Sequence, residues 1–132
     1  MTISLPPETS SPPRLQPSGW LRYFSFSVDH KVIGLQYLVC GFVFYLIGGA
    51  LAGAIRTELT SPVSDFMARD VYNQVLTLHG TVMIFLWIVP VVNGAFGNYL
   101  IPFYVGARDM AFPRLNAVAF WLIPPAGLML IT

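Results

Sequence analysis

One histidine stands alone in a long apolar stretch. His79 lies eight residues into Val71 to Ala107, a run of 37 residues that carries no Asp, Glu, Lys or Arg. On a helix that places it about 12 Å in from Val71, where an ionisable side chain is costly without a partner. Two chemistries fit. In one, a neutral imidazole donates to a backbone carbonyl or to a polar group on a neighbouring helix. In the other, a ring nitrogen ligates a metal, above all a haem iron, for which imidazole is a common axial ligand. Gly80 beside it removes bulk where a flat ring would approach, and Val75, Met83 and Leu86 fall on its face at helical spacing as an apolar wall.

Arg56 is the second unusual group, at the end of the preceding charge-free run, Val32 to Ile55. If the two runs form an antiparallel hairpin, Arg56 sits roughly 12 Å above His79, about one porphyrin width. It is then an interfacial anchor, or its five planar donors hold a polar edge of a ring. Asp29, His30 and Lys31 precede the first run, where such a cluster anchors in lipid headgroups. Asp109 lies near a helix start, where a carboxylate favours the macrodipole and pairs with Arg108 or Arg114. A bis-histidine haem site needs a second histidine at the depth of His79. The first run has none, and His30 lies at the opposite face, so a second ligand has to come from elsewhere. That argues against a self-contained haem anchor and for part of something larger.

The elements that must position these groups are membrane helices. The 132 residues are 55% hydrophobic and only 10% charged, against roughly 25% charged in an average soluble domain. A typical soluble enzyme is therefore excluded. A net charge of +1 without a basic run gives no footprint for nucleic acid. Cys40 is the one cysteine, so neither an intrachain disulfide nor a thiolate zinc cluster can form.

Residues 1–19, with five prolines among Ser and Thr, read as a disordered tail rather than a secretory signal. Val32 to Ile55, at 24 residues, is long enough to cross a bilayer. Its Gly34, Gly41, Gly48, Gly49 and Gly53 let a neighbouring backbone come close. As one helix, Val71 to Ala107 would be about 55 Å long and overshoot a hydrocarbon core of about 30 Å. Gly94, Gly97, Asn98 and Pro102 mark a break, which places the second span at 71–96 and a turn at 97–114. A third run, Leu115 to Thr132, stops without a cap or charged anchor, as if the chain ended within or at the end of a third span. Lys and Arg near the spans put the N-terminus and the 97–114 turn in the cytoplasm and the 56–70 loop outside. The fold class expected is all-α, a multi-span transmembrane bundle.

Several ordered motifs then carry a resemblance. Thr77-Leu78-His79-Gly80-Thr81-Val82-Met83-Ile84-Phe85, Phe96-Gly97-Asn98-Tyr99-Leu100-Ile101-Pro102, and Gly106-Ala107-Arg108-Asp109-Met110-Ala111-Phe112-Pro113-Arg114-Leu115-Asn116 resemble subunit I of the haem-copper oxidases, most closely the cytochrome c oxidase type. With Asp29-His30-Lys31 and Phe120-Trp121-Leu122, the likeness covers residues 20–132. It implies the first two to three helices of a larger, twelve-helix-type subunit, in a bacterial plasma membrane or, for a cyanobacterial member, a thylakoid membrane.

By position, the resemblance implies that His79 is an axial ligand of the low-spin haem and that Arg56 binds the formyl group of haem A. Asp109 matches the entrance of the D proton channel, and Asn98 and Asn116 match the polar side chains that order water inside it. Glu58 matches an outer-face carboxylate associated with a calcium or sodium ion, although Val63 stands where many relatives have glycine. The high-spin haem, copper and the remaining ligands would belong to later helices, so this segment alone would not reduce oxygen. Subunits II and III are the implied partners, with cytochrome c as electron donor. A quinol donor, or a non-catalytic three-span haem-binding or assembly module, is the alternative reading.

Overall fold

The computed structural model describes residues 19–60, 62 and 66–132. The tail expectation falls outside this range except for Gly19, and Val63 falls outside it too. Among the described residues there is no strand. Three helices are long and apolar enough to cross a membrane: α1 (His30–Glu58), α2 (Arg69–Val105) and α3 (Pro113–Ile131).

α1 starts where Asp29, in extended conformation, accepts the Lys31 backbone N–H at 2.9 Å. Asp29 is thus an N-cap that satisfies one of the free donors of the first turn, a more specific role than the headgroup anchor expected of it. Before it, a short 3₁₀ turn at Trp20–Tyr23 is tied to α1 by Gln36. The Gln36 Nε2 donates to the carbonyls of Tyr23 and Ser25 at 2.8 and 3.0 Å.

α1 and α2 form an antiparallel hairpin with glycines at the seam. A Cβ at Gly34 would meet Tyr99, one at Gly41 would meet Val91, and one at Gly48 would meet Met83, at 2.8, 2.6 and 2.5 Å. The three glycines recur every seven residues on α1, while their partners step back by eight on α2. α2 therefore fits more residues into the same length, because it is π-helical over Val82–Ile88 and Pro90–Phe96.

The expected end of the second span is corrected by the helix itself. α2 does not break at Gly97; it continues to Val105 and ends at Gly106, whose φ of 71° is left-handed. A glycine there closes the helix without a Cβ penalty. Pro102 costs one ladder bond inside the helix, which a membrane helix tolerates where other polar groups satisfy the backbone. Nearby, the Asn98 amide donates to the Gly94 carbonyl.

α3 packs on α1. Tyr37 and Phe120 meet edge to face at 5.2 Å, in a core with Ile33, Ala95 and Ala117. A second core joins Phe44, Val82 and Leu86. Only 17–22% of each apolar span is buried within the three helices, so most of their hydrophobic surface must be covered by lipid or by further helices. Both ends of the hairpin are fixed. His30 and Asp109 meet at one, and Glu58 accepts the Met67 N–H at the other.

Candidate functional site

His79 points at α1. Its Nδ1 lies 2.9 Å from the carbonyl oxygen of Gly48. A carbonyl only accepts, so Nδ1 carries the proton and donates, and in the neutral ring Nε2 keeps its lone pair. The bond holds the ring and selects the tautomer, as the outer hydrogen bond of a ligating histidine does. Gly48 matters because its missing side chain lets α2 approach until the main-chain oxygen is within reach. The hydroxyls of Thr77 and Thr81, on either side, donate back to the carbonyls of Asn73 and Thr77, so neither is left unsatisfied in an apolar setting.

The apolar wall expected around His79 is used differently. Met83 lies against Gly48, and Leu86 is buried with Phe44 and Val82, so that wall seals the helix hairpin. Open space lies elsewhere. A Cβ at Gly49, Gly53 or Gly80 would meet nothing within 4 Å beyond its chain neighbours and the backbone of its own helix. Gly49, Gly53 and Arg56 follow at i, i+4 and i+7, along one face of α1. Arg56 is exposed and stands eight residues past Gly48, about 12 Å along the helix. Arg56 therefore lies about 12 Å further along α1 than the carbonyl that His79 contacts.

An imidazole nitrogen outside its hydrogen bond is the donor type that binds a metal. Among the described residues no three His, Cys, Asp or Glu converge on a metal ion, but a haem iron takes one protein ligand per face. His79 can offer Nε2 to such an iron, and the open glycine face of α1 ends at Arg56.

A second polar group forms at the other end of the hairpin. His30, with a side chain nine-tenths buried, places Nδ1 at 3.0 Å from Oδ1 of Asp109, which is half exposed. Asp109 therefore pairs with α1, and neither Arg108 nor Arg114 forms the ion pair expected from their proximity in sequence. Asn98 is 2% exposed. Its amide donates to Gly94, and its oxygen accepts from the Asn116 amide on α3. Tyr99, next to Asn98, lies against Gly34, one turn along α1 from His30. The three residues matched to a proton entrance thus share one end of the bundle.

The comparisons with known proteins bear on both groups. The family model for cytochrome c and quinol oxidase polypeptide I matches residues 32–132. The chain belongs to this family. It is 65% identical, over 85% of its length, to cytochrome c oxidase subunit 1 of Thermostichus vulcanus. It is 60% identical, over 100% of its length, to cytochrome c oxidase subunit 1 of Synechocystis sp., and 44% identical, over 87%, to cytochrome c oxidase polypeptide 1 of Halobacterium salinarum. It covers 20%, 23% and 19% of these relatives; the chain spans about a fifth of the length of the curated relatives it matches. As a member of the oxidase family with three long apolar helices, it is a multi-pass membrane protein.

Glu58, at the opposite end from Asp109, takes the Met67 N–H at 3.0 Å. It lines a cleft of about 730 Å³ with Thr60, Arg69, Tyr72 and Asn73. The carboxylate closes the loop between α1 and α2, and Arg69 in the same cleft is a cation that a metal ion would have to tolerate. Sequence reasoning gave His30 only a headgroup-anchor role and passed over Gln36. Each is a polar residue facing inward from α1, but their partners, 79 and 11–13 residues away, are invisible to local spacing.

Proposed function

We propose that this chain forms the N-terminal part of the catalytic subunit of a terminal respiratory oxidase. The complete enzyme reduces oxygen to water with electrons from cytochrome c and couples this to proton translocation. The observation that carries the reading is the His79–Gly48 hydrogen bond, which fixes an intramembrane imidazole with Nε2 available as a ligand. The family supports the reaction with either donor, and the relatives bearing the cytochrome c oxidase name favour cytochrome c over quinol.

In this reading His79 holds the iron of a low-spin haem, haem A, through Nε2. The haem, when bound, passes single electrons. Arg56 donates to the polar edge of the ring, its formyl group. Asp109 collects protons at the cytoplasmic surface, and the Asn98–Asn116 pair, able to donate and accept, orders water just inside. Glu58 contributes to a cation site on the outer face. The second axial ligand, the high-spin haem and the copper belong to the rest of the subunit, with subunits II and III as partners. The membrane is the bacterial plasma membrane or a thylakoid membrane, with the His30 end in the cytoplasm.

The test is His79→Ala in the full-length oxidase. The low-spin haem absorption is expected to disappear from protein that still inserts in the membrane. Full haem content with an unchanged spectrum overturns the ligand assignment.

A further inference from the structure

We infer that His30 is a positioning residue for Asp109: it aims the carboxylate of the proton entrance through a fixed hydrogen bond and need not carry protons itself. The inference rests on the reading of Asp109 as that entrance. Its basis is the division of labour between the two carboxylate oxygens. Oδ1 accepts twice, from His30 Nδ1 at 3.0 Å and from the Met110 backbone N–H at 2.8 Å. Oδ2 has no protein partner among the described residues. One oxygen is thus pinned and the other is left to exchange protons.

The pin has its foundation in α1. The His30 side chain is nine-tenths buried while that of Asp109 is half exposed, so the imidazole is the fixed member and the carboxylate the accessible one. His30 begins α1 directly after the Asp29 cap, and the helix is then locked to α2 by the contact of Gly34 with Tyr99. The loop that carries Asp109 has no regular structure of its own between Gly106 and Phe112. Without His30, only the neighbouring backbone N–H of Met110 would orient the carboxylate, and that bond moves with the loop. The other charged groups close in sequence are Asp29 at the N-cap, Lys31 on α1, Arg108 on the loop and Arg114 on α3, with Tyr99 and Tyr104 on the end of α2 as further titratable groups. None of them forms an ion pair with His30 or Asp109.

A carboxylate accepts only, so Nδ1 is the donor whether His30 is neutral or charged. An asparagine places its amide nitrogen close to where Nδ1 stands, without a group that titrates. Glutamine places it one bond further out. His30→Asn, His30→Gln, His30→Leu and Asp109→Asn are to be made in the full-length oxidase, with the low-spin haem spectrum as the check on assembly. Oxygen consumption and proton uptake are then followed across pH.

Turnover of His30→Leu is expected to fall about threefold to tenfold, well below the roughly hundredfold cost of misplacing a reacting atom. His30→Asn should restore wild-type turnover and the wild-type pH profile, and His30→Gln should not. If Leu prevents assembly, the contrast between Asn and Gln decides. Wild-type rates in His30→Leu or His30→Gln overturn the inference, and so does His30→Asn as slow as Leu, which would make the imidazole a proton carrier. Should Asp109→Asn itself leave turnover and proton uptake unchanged, the entrance reading fails first and the inference falls with it.

Discussion

The two histidines present the same atom to two different acceptors. His79 Nδ1 meets a backbone carbonyl inside the membrane-spanning hairpin, and His30 Nδ1 meets a carboxylate at its end. A carbonyl is neutral and cannot accept or release a proton, so this contact orients the His79 ring through Nδ1 and leaves Nε2 outside the bond. A carboxylate can change charge, and the His30 contact turns one of its oxygens into a fixed point. The acceptor, more than the histidine, sets the chemistry. Glycine makes the first contact possible by exposing the main chain at Gly48, whereas an irregular loop makes the second by bringing Asp109 back to α1.

Exchanging the two sites' losses breaks the comparison most directly. His79→Ala should remove the low-spin haem entirely, while His30→Leu should leave the full haem complement, both read from the absorption spectrum of the purified oxidase. Loss of haem in both would mean that the two histidines serve one structural role. The next effect is on stability at the Asn98–Asn116 pair. Asn116→Leu deletes the donor to the buried Asn98 oxygen, and an unpaired buried polar group costs about 1–3 kcal/mol. Earlier thermal unfolding of the oxidase checks it, and an unchanged midpoint would mean that water replaces the amide. Asp109→Asn follows. A tenfold fall in turnover, about 1.4 kcal/mol of barrier, is expected with the haem spectrum intact, and wild-type rates with wild-type proton stoichiometry would dismiss the entrance.

The sequence disclosed His79 and Arg56 better than the pair of His30 and Asp109, for a physical reason. His79 and Arg56 stand out because ionisable groups are rare in or beside a charge-free run, and helical rise alone sets their separation. The acceptor of His79 was legible only as a class, a carbonyl or a polar neighbour; that it is Gly48 depends on the register of α1 against α2. His30 looked like one of three surface groups before a span, since nothing local says that residue 109 returns to it. The end of α2 was misplaced because glycine and proline interrupt helices in water more reliably than in lipid, where an unpaired backbone group must find a partner and the helix is the cheapest source of one. The glycines of α1 were readable as a packing feature, but not the seven-to-eight register that the π-helical turns of α2 impose.

The smallest expected effect separates helix packing from ring packing on α1. Gly48→Ala would place its methyl 2.5 Å from the Met83 sulfur, the far part of a flexible side chain that can give way. A cost of about 1 kcal/mol, the low end of overpacking penalties, is expected, with a small shift of the low-spin haem band as the carbonyl acceptor of His79 moves. Gly48→Ala combined with Met83→Ala should restore both stability and spectrum. Gly49→Ala is the counterpart, because its added methyl would meet nothing within 4 Å beyond its chain neighbours and the backbone of α1. If the glycine strip faces the ring, Gly49→Ala shifts the haem band with little change in stability, and Met83→Ala does not rescue it. A silent Gly49→Ala would place the ring on another face of α1 and leave the strip to lipid or to a later helix, while the contact between Gly48 and His79 would still stand.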